Sequence, residues 1–261
     1  MELLDRLSSA RVYDLAQPYF VGMPHYPTHP PFLFSLVKQH GEYTGPAGNS
    51  AASDAIALGS HVGTHIDALC HFSRGGKLYG GGEAAGLQSY EGGLRQHSID
   101  TVPPILRRGV LLDIARQMGV DALPVDYEIT PNHLADAERA AGVDVRAGDV
   151  VLLRTGWARF WEDPGRFVSQ ASGPGPALAG AQWLSARGVY AAGADTVGFE
   201  KLPDAGMPVH VHLLVDNGIH IIECLNLEEL AAAGVAEFLF VALPLKIRGA
   251  TGSPIRPIAI A

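Results

Sequence analysis

Cysteine is scarce in this chain, which holds only Cys70 and Cys224 among its 261 residues. Two cysteines cannot supply a disulfide framework, and they cannot form a structural zinc site made of thiolates alone. We therefore expect a protein of a reducing compartment, the cytoplasm, in which the two cysteines are small buried side chains.

Long apolar runs and clusters of basic residues are also missing. No run of about 18 apolar residues occurs, so no membrane-spanning helix is predicted. The first residues carry acids and lack a continuous apolar segment, so no secretory signal is predicted either. The formal net charge is −8, whereas nucleic-acid binding needs Lys and Arg gathered on one face. We expect neither a membrane nor a nucleic acid as partner.

The chain is 47% hydrophobic, which is enough for a substantial core, and we predict one domain over residues 1–261. Short apolar runs predict buried strands at 109–114, 150–154, 219–223 and 237–243. Helices are predicted from Thr130 to Gly142, over 177–187, and after Asn226, where Glu229 stands in capping-box register. This alternation is typical of a mixed α/β fold.

Three segments rich in glycine or proline predict irregular structure. Residues 75–93 are interpreted either as a lid over a site or as a plain connector. Residues 163–176 are predicted to be a second loop. The proline-dense residues 18–31 cannot form a helix, and we expect them to wrap the surface or to rim a pocket.

Metal-ligand chemistry is concentrated in residues 61–71, where His61, His65, Asp67 and His71 stand among apolar or small residues. These residue types bind a borderline divalent ion through nitrogen and oxygen. In a straight strand His61 and His65 would lie about 13 Å apart, the outer limit for sharing one ion, so the chain must bend. Gly63 permits that bend. If a helix starts after it, Asp67 and His71 share one helix face.

A second group of candidate ligands lies in residues 208–223. Strand alternation places Glu223 at the end of an otherwise apolar face, where a carboxylate is costly unless it meets a cation or a proton. His220 points to the opposite face and is interpreted as structural or exposed. Spacing alone does not decide between His210 and His212, because only one of them can face Glu223 if a helix starts there.

These residues indicate a metal-assisted hydrolase. A divalent ion lowers the pKa of bound water and polarises a carbonyl, while a spare His or Glu moves the proton. The substrate would be a small carbonyl compound: an amide, imide, lactone or ester. Two alternatives use the same residue types: a 2-His-1-carboxylate Fe(II) oxygenase, and a non-catalytic protein stabilised by metal. An oxygenase triad uses three ligands and would leave His61 and His71 without a role. A metal-stabilised binding protein would not need a buried Glu223.

The pattern His61-x-Gly63-Thr64-His65-x-Asp67-x-x-x-His71 resembles the HxGTHxDxPxH signature of the cyclase-like metal-dependent hydrolases. That family includes bacterial kynurenine formamidase, isatin hydrolase and a trans-dienelactone hydrolase. Shorter segments along nearly the whole chain agree with it: YDL at 13–15, GMP at 22–24, GD at 148–149, RTGW at 154–157, and PLK at 244–246 followed by GSP at 252–254.

The resemblance implies an α/β fold of the swivelling β/β/α type with a barrel-like core, and an oligomer, a homodimer or homotetramer. It implies that His61, His65 and Asp67 hold a first ion, zinc or manganese. His71 would be a ligand of a second ion or the acid/base.

The downstream family pattern falls on His210 and Glu223, the latter a ligand and a catalytic residue. One extra residue between them leaves His212 open as the true equivalent of His210. Leu69 stands where the family has proline, which indicates a subfamily distinct from kynurenine formamidase. Four aromatic residues are candidate substrate contacts: Tyr26, Phe72, Tyr79 and Trp157.

Overall fold

The computed structural model describes Asp5 and residues 8–261. Within this part of the chain one mixed sheet has nine strands, in the spatial order β1-β15-β13-β7-β9-β11-β12-β4-β14. Its strands are β1 Val12–Asp14, β4 His65–Asp67, β7 Ile105–Asp113, β9 Val150–Arg154, β11 Ala191–Ala194, β12 His220–Glu223, β13 Glu237–Ala242, β14 Gly252–Pro254 and β15 Ile258–Ile260.

Three small strand pairs accompany the sheet: β2 Leu33–Lys38 with β3 Ser53–Ala57, β5 Gln88–Ser89 with β6 Gly93–Leu94, and β8 Glu128–Ile129 with β10 Gly175–Pro176. The helices are α1 Ala84–Leu87, α2 Ile114–Gln117, α3 Pro131–Ala141, α4 Pro164–Val168, α5 Leu178–Ala186, α6 Pro208–His210 and α7 Glu228–Ala232. Short 3₁₀ turns cover Tyr79–Gly81, Ile99–Thr101 and Trp157–Phe160, and a π-helix covers Val211–Asp216.

The sheet must curl, because strands β14 and β15 are close in sequence but far apart in strand order. Seven strand spacings separate them, about 34 Å in a flat sheet, whereas residues 255–257 join them with a reach of about 14 Å. Leu15 accordingly accepts a backbone hydrogen bond from Asn226, just beyond β12. The predicted mixed α/β fold with a barrel-like core is confirmed.

Strand alternation divides the core between the two faces of the sheet. In β9, Val150 and Leu152 pack inside the curl with Phe240 of β13. Val151 and Leu153 face the other way, against the helical layer that contains α3 and α5. All four of these apolar side chains are fully buried. The predicted strands at 109–114, 150–154, 219–223 and 237–243 correspond to β7, β9, β12 and β13.

The predicted helices form with small corrections. Helix α3 is capped by the Thr130 hydroxyl and ends at Gly142, which has the left-handed φ of 67°. Helix α7 begins one residue later than expected, because its N-cap is Leu227, whose side chain cannot accept a hydrogen bond. The Glu228 N–H instead donates to Oδ1 of Asn226 at 3.4 Å. The segments 75–93 and 163–176 are not structureless, since they contain α1, α4 and short strands. No helix in the described part of the chain combines the length and apolar character needed to cross a membrane.

Candidate metal centre and pocket

A sharp bend at Gly63 sets the position of the first candidate ligands. Gly63 has φ +70°, and a Cβ at this residue would overlap the ring of Tyr19. The Tyr19 hydroxyl donates to the carbonyl of Val62 at 2.9 Å, which holds the ring over the bend. The expected bend is confirmed. The helix considered as one continuation after the bend does not form, because residues 65–67 form strand β4 between β12 and β14.

The bend brings His61, His65 and Asp67 together. One donor atom from each lies within 4.8 Å of the others, and all three side chains are buried. Nδ1 of His61 is 2.7 Å from Oδ1 of Asp67. The other ring nitrogen of His61 is 2.8 Å from the hydroxyl of Thr251. Gly252 makes room for this ring, since a Cβ there would lie 2.6 Å from Cε1 of His61.

A second donor group consists of Asp67, His210 and Glu223, also buried and within 4.8 Å of one another. Strand register explains the approach of Glu223, which pairs with His65 across the antiparallel β12–β4 ladder. Nε2 of His210 is 3.2 Å from Oε1 of Glu223, and Nε2 of His65 is 3.4 Å from Oε2. Asp67 therefore belongs to both groups.

The structure separates His210 from His212. His210 ends α6 with its ring in the centre. His212 lies on the following π-helix and turns away, with Nε2 2.8 Å from the hydroxyl of Ser185. His220 is buried as a structural residue, and its Nδ1–H donates to the carbonyl of Asp67 at 2.8 Å.

Lone pairs converge at the middle of this cluster. Nδ1–H of His65 donates to the carbonyl of Gly63 at 2.7 Å, so its Nε2 carries a lone pair. That Nε2 and Oδ2 of Asp67 are buried and find no hydrogen-bond partner among the described residues. Buried acceptors that face one another are unfavourable unless a cation lies between them. The donor set of imidazole nitrogen and carboxylate oxygen fits a divalent ion such as zinc or manganese.

The electrostatics of the centre favour positive charge. Burial works against ionisation of Glu223, yet the neighbouring rings of His210 and His65 outweigh burial and hold its pKa at about 2. The pKa of Asp67 also lies well below its usual range, because nearby His71 and His61 outweigh its burial. For His210 burial is outweighed by Glu200 and Glu223, which raise its pKa to about 10. The same negative field attracts a proton or a metal ion.

Sequence reasoning missed Glu200, which orients His210. The Glu200 side chain is buried and accepts the Nδ1–H of His210. It also accepts the backbone N–H of His210 at 3.0 Å and that of Val209 at 3.2 Å. A carboxylate that fixes a histidine tautomer in this way is a common partner of metal-bound imidazole. The only sequence signal is an acid within a mostly apolar stretch, VGFEKLP.

His71 lies beside the two donor groups but belongs to neither. Its ring stacks on that of His61, with 3.9 Å between centroids. Burial lowers the pKa of His71 to about 3, against the opposing effect of Asp67, so the imidazole is neutral at pH 7. A neutral imidazole at the edge of a polar centre can accept and return a proton.

A cavity of about 160 Å³ opens onto these side chains. His61, His71, His210 and Glu223 form its polar end. The remaining walls are mostly apolar or small: Tyr26, Thr28, His29, Phe72, Val197, Gly198 and Met207. The proline-dense residues 18–31 thus contribute to the rim of a pocket, which is one of the two positions expected for them. The sequence did not single out His29 as a lining residue.

Two of the four expected substrate contacts lie elsewhere. Trp157 is buried and its indole N–H donates to the carbonyl of Leu123 at 2.9 Å, so the ring is part of the core. Tyr79 packs against Gly218 and His97, outside the pocket. No residue of 75–93 lines the pocket either, so the geometry does not favour the lid interpretation. Tyr26 and Phe72 do line it.

Comparisons with known proteins agree with this geometry. A model of the family described as putative cyclase matches residues 13–201, more than half of the chain. A protein named isatin hydrolase, from Roseibium aggregatum, is 28% identical over 213 residues, which are 78% of this chain and 73% of that protein. One named kynurenine formamidase, from Bordetella petrii, is 26% identical over 252 residues, 95% of this chain and 97% of that protein.

A solved structure also resembles this one closely. It is described as a novel cyclase, has a TM-score of 0.90 at 31% identity, and covers 99% of this chain and 89% of its own. The fold expected from the signature is therefore confirmed over essentially the whole chain.

Proposed function

The chain belongs to the cyclase family, and on that premise we propose that this metal-dependent hydrolase cleaves the C–N bond of a small aromatic amide or cyclic imide. Two relatives support the reaction type, one named a hydrolase of isatin and one a formamidase. The aromatic walls of the pocket, Phe72 and Tyr26, support a flat unsaturated substrate. A lactone is the second substrate type that the same machinery would accept.

One observation carries the metal dependence. Nε2 of His65 and Oδ2 of Asp67 are buried acceptors without a hydrogen-bond partner among the described residues, and Glu223 is ionised beside them. A divalent ion satisfies all three at once. We propose that His61, His65 and Asp67 hold one ion, and that His210 and Glu223, with Asp67, complete that site or hold a second ion. When bound, zinc or manganese supplies a Lewis acid that polarises the carbonyl and acidifies water.

The proton transfers fall to His71. Its neutral ring borders the pocket and stacks on His61, so it is in reach of a substrate carbonyl at the polar end. We propose that it takes a proton from the attacking water and delivers it to the leaving nitrogen, which must be protonated for the C–N bond to break. Phe72 packs edge-on against His71, with 4.9 Å between centroids, and keeps bulk water from that ring.

The experiment is hydrolysis of a panel of aryl formamides, cyclic imides and lactones by protein stripped with a chelator and reloaded with zinc or manganese. Turnover should vanish on stripping, return on reloading, and proceed without O₂. Turnover that needs O₂ and ferrous iron would identify an oxygenase instead. A protein that takes up metal but hydrolyses nothing in the panel would favour a binding role.

We also propose a homo-oligomer in the cytoplasm. Strands β2 and β3 project as a hairpin with apolar side chains in solvent, and Val37 and Ile56 are each 61% exposed. A lone two-stranded hairpin is marginal in water, so a second copy of this chain is the occupant that we propose for it. Sedimentation should give a dimer or tetramer, and Val37→Asp with Ile56→Lys should give monomers; a monomeric wild type would contradict this.

The two buried free thiols support a reducing compartment.

A further inference from the structure

His29 is the one pocket histidine outside the metal-ligand and proton-transfer sets. It reaches the cavity from the proline-dense segment. Its ring centroid is 5.4 Å from that of His61 and 6.5 Å from that of His71. A small molecule bound at the polar end of the cavity therefore lies against this ring.

The two nitrogens of His29 have different surroundings. Nδ1 is 3.2 Å from the backbone carbonyl of His61. A carbonyl only accepts, so Nδ1 carries the proton and Nε2 carries a lone pair. The neutral form is the usual state of a histidine side chain at pH 7. Nε2 has no partner among the described residues, and it is not among the buried unpartnered atoms, so it is open to the cavity.

We propose that His29 is a specificity residue whose Nε2 accepts a hydrogen bond from the N–H of the substrate, so that the enzyme prefers N–H amides, lactams or imides to the matching esters and lactones. The inference rests on the proposed hydrolase function and names which carbonyl substrates it selects. An N–H donor pairs with the open acceptor, whereas the ester oxygen at the same position has no hydrogen to donate and would face a lone pair. A site built to bond a polar group rejects the analogue that lacks it.

The experiment measures kcat/KM for two matched pairs, formanilide with phenyl formate and oxindole with 2-coumaranone, on the metal-loaded enzyme. His29→Asn places an amide N–H near the position of Nδ1 but offers nothing at Nε2. His29→Gln extends an amide oxygen to the position of Nε2. His25→Asn is the matched control, since His25 lies on the same segment, bonds a backbone carbonyl in the same way, and does not line the cavity.

We expect His29→Asn to lower kcat/KM for the N–H substrate of each pair about tenfold, the effect of one hydrogen bond, and to leave the ester or lactone within about twofold. His29→Gln should restore most of the preference, and His25→Asn should match the wild type. Metal content and melting temperature should be equal in all four proteins.

Several results would overturn the inference. If His29→Asn lowers kcat/KM equally for both members of a pair, His29 acts only by holding His61 in place. If His29→Asn does not lower kcat/KM for the N–H substrate, or if His29→Gln does not restore it, Nε2 of His29 does not contact the substrate. A wild type that cleaves only the ester and lactone would overturn the inference while the hydrolase function stands. Absence of hydrolysis of all four compounds by metal-loaded wild type would count against the proposed function itself, and the inference would fall with it.

Discussion

The buried carboxylate of Glu200 accepts the Nδ1–H of His210 and leaves Nε2 of that ring 3.2 Å from Oε1 of Glu223. Two backbone N–H groups at the start of α6 donate to the same carboxylate. Glu200 therefore fixes the orientation of the His210 ring and the direction in which its Nε2 points.

Removal of this orienting group should weaken metal binding without removing a ligand. We expect Glu200→Gln to lower the affinity for zinc or manganese about 10–100-fold, the usual cost of losing the partner of a metal-bound histidine. Calorimetric titration of the stripped protein measures it. His212→Gln is the control, because His212 faces Ser185 rather than the centre. Equal affinity in Glu200→Gln and wild type would contradict this role.

His71 should be needed for turnover but not for metal uptake. His71→Asn keeps a polar side chain at the pocket edge and removes the proton carrier, so kcat should fall about 10²–10⁴-fold. Metal content, measured by elemental analysis, should stay at the wild-type level. Loss of metal together with activity would instead identify His71 as a ligand.

The bend at Gly63 should be costly to change for two separable reasons. A side chain at φ +70° costs about 1–2 kcal/mol in backbone conformation, and overlap with the Tyr19 ring adds about 1–3 kcal/mol of overpacking. Gly119→Ala isolates the first effect, because Gly119 has φ +67° and open space around it. Denaturant unfolding should give a clearly lower free energy of unfolding for Gly63→Ala than for Gly119→Ala. Equal losses would mean that Tyr19 moves aside freely.

The cysteines should be inert in the folded protein. Burial raises the pKa of Cys70 to about 12 and that of Cys224 well above its ordinary value. At pH 8 both remain thiols, and the thiolate is the reactive form. We expect no alkylation by iodoacetamide in native protein and complete alkylation of both in denaturant, read by mass spectrometry. Rapid labelling of the native protein would show that one of these thiols is accessible.

The local patterns in the sequence were sufficient for much of the fold and for part of the centre. Thr130 and Gly142 delimit α3 because capping and the left-handed C-cap depend on neighbouring residues only. The grouping of His61, His65 and Asp67 followed from short spacing and one flexible residue, Gly63.

Other features depended on contacts that the sequence does not reveal. Which of His210 and His212 faces the centre depends on the turn from α6 into the π-helix. Glu200 and His29 reach the centre through segments that carry no metal-ligand motif, so no local pattern marked them. Trp157 and Tyr79 were candidates for the pocket as well as for the core, and packing against Leu123 and Gly218 places them outside the pocket.

Asp67 is central to the proposed metal site, since it belongs to both donor groups. The most direct test is elemental analysis of Asp67→Asn beside wild type after both are loaded with manganese or zinc and desalted. We predict that Asn in place of this shared carboxylate lowers metal affinity more than about 100-fold, beyond the cost of losing an orienting partner, so that the variant retains little metal. Full metal content in Asp67→Asn would contradict the assignment of this cluster as the metal centre.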